Sequence, residues 1–499
     1  MAVEITVALL SGQAMSLDCS PETLLLAVKM AAREHFQIGF CKLVSASGGV
    51  LDPRSTVLDL GQDTHITAIL TSVTVYSWPR GPNFFAISSS GFVVPWGRHP
   101  TPPEVLQDIR CIQTTGSGYA HAAIRHDGSV VCWGDPERGG DCSEVQGELK
   151  EVVAIQSSTC AFAAIRANGA VVCWGDPIYG GDSSEVQSQL KGVVSVQATG
   201  GAFAAIRADG AVVTWGDPDE GGDSTDVQEQ LKQVVQIQSS VMGFAAIRAD
   251  GQVIYWGSPA DYIDEPDVQR KLRNVTQIKA TALAFAAVCA DGSVATWGLS
   301  DMEGDSSQVQ QQLQDVQTIQ ANGSAFAAIR GNGTVVAWGD ERSGGDSSTV
   351  NQHLGEIQKD PDDSDSASMQ HQLPTPVQLQ ATDSAFAAVR LDGRVVAWGD
   401  PAHGGDTSQV QQHLFNIQQV QATSGAFAAI RSDGQVFAWG DPKQGGDSSQ
   451  VQDQLTQVQY LQANNSAFVA VRKNGTLVTW GNQESGGDSS QVQELFELL

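Results

Sequence analysis

The chain has 499 residues, with 28 Lys and Arg against 56 Asp and Glu, a formal net charge of −28, and 41% hydrophobic residues against 17% charged. That apolar content supports a large core and excludes wholesale disorder, while the acidic excess excludes a nucleic-acid groove or an anionic membrane surface as partner. The 52 glycines ask for many turns.

The first residues, MAVEITVALLSG, carry Glu4 inside their apolar stretch, with no basic segment and no small-residue cleavage site, so a secretion signal is not expected. No run of 18 or more apolar residues occurs, so no membrane-spanning helix is expected either. EITVALL reads as a strand, Ser11-Gly12 as a turn, and AMSLDC as a second strand. Ser20-Pro21-Glu22-Thr23 then opens a helix, LLLAVKMAARE, with Ser20 as its expected cap. Lys42-Leu43-Val44, a turn over residues 48–52, Ser55-Thr56-Val57-Leu58 and a last strand, THITAIL, complete the segment. This order over residues 1–72 resembles a ubiquitin-like β-grasp domain. The resemblance maps that family's hydrophobic recognition patch onto Leu10, Val44 and Ile69, all apolar. It also marks two departures: Leu70-Thr71-Ser72 stands where the family ends in Gly-Gly, and only Lys29 and Lys42 are present. A fused binding module is implied, and not a conjugated modifier.

From residue 73 onward the chain is a repeat. Trp-Gly recurs at Trp96, Trp133, Trp174, Trp215, Trp256, Trp297, Trp338, Trp398, Trp439 and Trp480, at a spacing of 41 except for 37 once and 60 once. Ten units follow, and the longer gap places an acidic, Ser-rich insertion near 355–373. One unit, 194–234, gives the grammar: a short strand (VSVQ), a second (AFAAIR), a third ending in Trp215, and Asp209-Gly210 as the hairpin signal between the last two. After Gly-Gly-Asp the period changes. Val186, Leu190 and Val193 fall at i, i+4 and i+7, which predicts a short helix with Asp182, Ser183 or Ser184 as cap. Three strands cannot bury both faces alone, so the units must stack. The expected fold is mainly β: a small β-grasp domain, then ten units of three strands plus a short helix. They form a β-propeller-like array, with an open β-solenoid or spiral as the alternative.

The string AAIRADGAVVTWGDPDEGG, with its Asp-Gly…Trp-Gly core, resembles the repeat of the regulator of chromosome condensation family, arrays of which also occur in HECT-type ubiquitin ligases. That family builds seven blades from units near fifty residues, whereas here there are ten of 41. A larger ring, a seven-bladed ring with extra units and an open spiral all remain open.

Catalysis finds no assembled site. Cys132 and Cys173 occupy a pre-Trp position where other units carry Thr214, Tyr255 or Ala337, an interchange that strand packing tolerates and a nucleophile does not. The eight cysteines show no zinc spacing and read as reduced thiols of a cytoplasmic or nuclear protein. The recurrent Gly-Gly-Asp reads as cap chemistry and not as a calcium loop, so neither metal nor cofactor is expected. Arg125, Arg166, Arg207, Arg248, Arg330, Arg390, Arg431 and Arg472 end the second strands, two residues before the turn Asp or Asn, and read as partners of those turns. Unit five diverges most: Tyr262, then Arg270, Lys271 and Arg273, form a local basic and aromatic patch and a candidate protein contact. The expected function is a non-enzymatic scaffold. Residues 1–72 would engage ubiquitin receptors or the proteasome, and the repeats would hold a second, unknown protein. A guanine-nucleotide exchange factor for a small GTPase, or a substrate-binding subunit of a ubiquitin ligase, is the alternative that the resemblances imply.

Overall fold

The computed structural model describes residues 2–490 apart from 37, 39–40, 71–72, 78–80, 89–90, 99–101, 103–105, 259–265, 299–303, 349, 351–375 and 391. Strands β1 (Val3–Leu9), β2 (Ala14–Cys19), β3 (Cys41–Ser45) and β4 (His65–Leu70) form one sheet in the order β2-β1-β4-β3, with helix α1 (Leu25–Phe36) between β2 and β3 in sequence. β1 and β4 run parallel, and the other pairs are antiparallel. Strict alternation sends Ile5, Val7, Leu43, Ile66 and Ala68 inward, where they pack on Leu25, Val28 and Ala32 of α1. Ser20 does not cap α1. The helix begins at Leu25, and its first N–H groups are taken by the carbonyls of Ser55 and Pro53 while Ser20 sits in a preceding turn.

Ten three-stranded antiparallel sheets follow, one per Trp-Gly unit. In unit four the strands are Val193–Ala198, Ala202–Arg207 and Val212–Gly216. The small-residue composition of the middle strand now has a cause. Phe203 and Ala205 pack back against Ala161, Ala163 and Ile165 of unit three, whereas Ala202, Ala204 and Ile206 pack forward against Phe244 and Ala246 of unit five. A strand covered on both faces by neighbouring sheets has room for alanine and for one phenylalanine. That Phe203 stacks on Trp215 with ring centroids 5.3 Å apart, and the pair recurs from Phe84–Trp96 to Phe468–Trp480 except in unit two, where His121 takes the place of the Phe beside Trp133.

The Trp also latches its unit to the one before. Trp215 Nε1 donates to the Gly180 carbonyl at 3.0 Å, and Trp174, Trp256, Trp398, Trp439 and Trp480 make the same bond to the preceding turn. Gly180 must be glycine twice over: its φ is +89°, and a Cβ would lie 2.6 Å from the Phe203 ring. Trp133, Trp297 and Trp338 find no acceptor among the described residues. They follow units one, five and six, whose turns lack the Asp-Pro-x-x-Gly-Gly sequence.

The tenth unit packs on the first. Val73, Val75, Phe84, Ala86 and Trp96 share one buried cluster with Ala467, Val469 and Val471. Trp96 Nε1 donates to the Gly486 carbonyl at 3.1 Å, repeating the latch found at six other junctions. The Tyr460 hydroxyl donates to the Val73 carbonyl at 3.0 Å and accepts from the Val75 N–H at 3.3 Å, and Ser77 Oγ donates to the Ala463 carbonyl at 2.7 Å. Consecutive units are joined by such clusters from one to ten, so the array closes on itself as a ring of ten.

The loops after the first strands run round one end of this ring as a chain of backbone hydrogen bonds. Thr159 donates to Gly200, Gly200 to Val241, Val241 to Ala282 and Ala282 to Gly323; further round, Asp383 donates to Ser424, Ser424 to Asn465, and Asn465 across the closure to Gly81. Small side chains at most of these positions permit that approach.

The segment after Gly-Gly-Asp is a tight turn in most units and 3-10 helix at Gln228–Gln230, Gln411–His413 and Ser449–Gln454. In unit five it forms the short α-helix α2 (Pro266–Lys271). The i, i+4, i+7 spacing is real, but the segment is too short to nucleate an α-helix alone. Side chains shape it instead: Ser183 Oγ donates to Gln187 Oε1 at 2.8 Å, and Gln187 Nε2 donates to the Val171 carbonyl at 3.0 Å. Among the described residues no helix is long and apolar enough to cross a membrane.

Candidate protein-interaction surfaces

On the N-terminal sheet, the face away from α1 carries every second residue: Ala8 on β1, Lys42 and Val44 on β3, Thr67 and Ile69 on β4. Leu10 lies in the turn after β1 and is 79% exposed. Val44 and Ile69 therefore share this face, Thr67 being the direct partner of Val44 and Lys42 that of Ile69, and Leu10 follows β1 beside them. Val44, however, is only 8% exposed, while Val50, paired beside it through a backbone bridge, is 64% exposed. The resemblance did not point to Val50, which belongs to a turn. Leu58 and Leu24 are further exposed apolar side chains at the corner where residues 56–58 meet the start of α1.

In the ring, each feature weighed for chemistry resolves into a fold role. The turn Asp of Asp182 accepts from the Ser184 N–H at 2.8 Å, and Asp141, Asp223, Asp346, Asp406, Asp447 and Asp488 do the same. These bonds hold the Asp141 and Asp447 carboxyls below the usual carboxylate range. Among the described residues no group of His, Cys, Asp or Glu is placed to hold a metal. The arginine row divides by its turn. With Asp-Gly, the guanidinium pairs with the Asp, as in Arg207–Asp209 at 3.0 Å and Arg431–Asp433 at 2.7 Å. With Asn-Gly, it donates to the carbonyl sixteen residues earlier, as in Arg166 to Lys150 and Arg330 to Gln314, both at 3.0 Å. The turn Asp itself does not take positive φ; only the Gly does, and Asp209 caps the turn through the Ala211 N–H.

The cysteines need one correction. Cys132 and Cys142 are joined by a disulfide, with Cα atoms 6.0 Å apart. The same two positions in other units hold hydrogen-bonded pairs, Thr214 with Ser224, Thr296 with Ser306 and Thr479 with Ser489. The bridge is thus a covalent version of a clasp between the third strand and the turn after it. Cys19, Cys41, Cys111, Cys160, Cys173 and Cys289 are thiols. Burial pushes the Cys173 thiol up to about 12, which makes it a poor nucleophile.

Of the unit-five patch, Tyr262 lies outside the described residues. Arg270 and Lys271 close α2, Arg273 follows, and all three are exposed. They border a cavity of about 560 Å³ whose other walls are Cys289, Asp291 and Ser293 of unit six and Gln310, Gln311 and Gln314 beyond it. A second cavity, also of about 560 Å³, lies beside the hydrogen-bonded loops and touches residues of seven successive units, from Gly116 to Asp383.

Comparison with protein-family profiles finds no match, and neither does comparison with curated proteins. Among solved structures, the chain is similar to Prp20p from Saccharomyces cerevisiae, described with its binding to Gsp1p and histones, at 16% identity over 51% of this chain and 73% of that one, with a TM-score of 0.30. It is similar to the ectodomain of the receptor kinase ACR4 from Arabidopsis thaliana at 16% identity, over 56% and 93%, with a TM-score of 0.29. The computationally designed Ika8 protein matches at 16% identity, over 66% and 96%, with a TM-score of 0.30. At these scores the fold rests on the geometry above.

Proposed function

We propose that the protein is a non-enzymatic scaffold of the cytoplasm or nucleus. Its N-terminal sheet docks on one protein, and its ring of ten units holds another. The observation that carries this reading is the outer face of the N-terminal sheet, where Leu10 and Val50 stand exposed beside Ile69, uncovered among the described residues. The order β2-β1-β4-β3, with β1 and β4 parallel and one helix on the inner face, supports a ubiquitin-like module, and a ubiquitin receptor or proteasome subunit as its partner. The ring adds surface without chemistry: its Asp, Arg and Trp rows are spent on turns and latches. Triple substitution Leu10→Ala, Val50→Ala and Ile69→Ala in the full chain is expected to abolish capture by immobilised ubiquitin receptors with the circular dichroism spectrum unchanged. Undiminished capture sinks the reading. Acceleration of nucleotide release from a small GTPase would replace it with exchange-factor activity.

A further inference from the structure

We infer that the hollow beside α2 is a binding site for an anionic side chain of a partner peptide, a carboxylate or a phosphoryl group. It rests on the scaffold reading and names the chemistry of what the ring holds. One substitution sets the hollow apart. Eight units end their second strand in Arg, which engages the turn Asp in Arg207 and Arg248 and the carbonyl sixteen residues earlier in Arg166 and Arg330; in unit two, Arg125 itself borders a smaller cavity of about 420 Å³. Unit six has Cys289 there. Its short side chain, its thiol donating to the Lys271 carbonyl at 3.4 Å, leaves about 560 Å³ open.

Among the described residues, the lining of this opening is reversed in charge relative to the array as a whole. Residues 1–72 carry four Lys or Arg against seven Asp or Glu, so the array holds 24 against 49. Here Arg270, Lys271 and Arg273 stand within four positions and border one cavity in which Asp291 is the one carboxylate among the described residues. That carboxylate is occupied locally, accepting from both the N–H and the hydroxyl of Ser293. The Lys271 and Arg273 side chains make no hydrogen bond or ion pair among the described residues. Gln311 and Gln314 add amide groups on the far wall, while the Gln310 amide donates to the Val294 carbonyl at 3.0 Å. Cations on one side, neutral donors on the other and space between them suit a charge-assisted hydrogen-bond acceptor that enters from outside. A cationic or apolar side chain would meet the wrong lining.

The test uses fluorescence anisotropy on the full chain, with labelled hexaglutamate, a neutral hexapeptide bearing one phosphoserine, and hexaglutamine as control. One or both anionic probes are expected to bind and hexaglutamine not to bind; which of the two binds identifies the group. Lys271→Gln with Arg273→Gln is expected to weaken binding at least tenfold. The decisive variant is Cys289→Arg, which restores the residue of the other units and adds a cation. It is expected to weaken binding at least tenfold because its longer side chain takes up part of the hollow, and the uncharged Cys289→Gln is expected to do the same. Binding that is unchanged or stronger in Cys289→Arg, or absent for both anionic probes, overturns the inference. Neither result touches capture through Leu10, Val50 and Ile69, so the two readings fail separately.

Discussion

Tyr460→Phe removes one oxygen at the seam between the tenth and first units. The hydroxyl makes two hydrogen bonds across that seam, to the Val73 carbonyl and from the Val75 N–H, while the ring stays packed beside Val73 and Val75. A net contribution of about 0.5–1.5 kcal/mol per bond puts the loss at about 1–3 kcal/mol. Because the seam is one junction of ten, the effect should be local. Hydrogen exchange should accelerate in Val73–Ser77 and Val458–Ala463 and not in Val234–Ser239, on the opposite side of the ring. There is a matching pH signature. Burial pushes the Tyr460 hydroxyl above its ordinary value, with the Val75 N–H pulling the other way. A raised folded value means the folded state holds the proton more tightly. The stabilisation is therefore complete below pH about 10 and is lost as pH rises through the folded value. Tyr460→Phe should abolish that alkaline loosening of the seam. Unchanged exchange in both strands, or loosening spread evenly over all units, would refute the reasoning.

Gly180→Ala combines a left-handed backbone with a Cβ 2.6 Å from Phe203 and should cost about 2–5 kcal/mol, read from urea midpoints; a neutral result removes the latch argument. Cys142→Ser recreates the Thr–Ser style of clasp and should lower the oxidised protein's stability by about 2–3 kcal/mol while abolishing the difference in melting temperature between reducing and oxidising buffer. Cys173 should stay unlabelled by iodoacetamide at pH 8 in the native protein, since its thiol titrates near 12; rapid labelling would show that the strand opens. Asp209→Asn should shift stability by less than about 1 kcal/mol, because Arg207–Asp209 is a solvent-exposed pair and Asn occupies that turn position in units three, seven and ten.

The unit was legible because its signals are local. Trp-Gly, Asp-Gly and Gly-Gly-Asp each encode a turn, and the unbroken apolar run in AFAAIR encodes a strand buried on both faces. Closure was not legible. Tyr460, Trp96 and Gly486 occupy ordinary repeat positions, and nothing in a periodic pattern says whether its ends meet. Aligning the units would have revealed the disulfide, since Cys132 and Cys142 fall on the positions of Thr214 and Ser224. Their irregular scatter along the chain hid it. The helix expected after Gly-Gly-Asp was misread because Gln187 and its counterparts reach back to a strand carbonyl, which periodicity does not register. Glu151, Gln233, Asp315 and Gln457 take positive φ just before the first strands, where unit four carries Gly192. Non-glycine residues gave no sign of that bend. On the N-terminal sheet, the resemblance named Val44 and Ile69, which share one face, but could not show that Val44 is buried while its neighbour Val50 stands exposed.

Ring closure is tested most directly by distances between hairpin tips. Spin labels introduced through a genetically encoded handle at Asp127, Asp209, Asn332 and Asn474 sample units two, four, seven and ten. Double electron–electron resonance should give an Asp127–Asn474 distance close to that of Asp127–Asp209, both two junctions apart, and shorter than Asp127–Asn332, five junctions apart. A distance that grows steadily with unit number, with Asp127–Asn474 the longest, would contradict the ring.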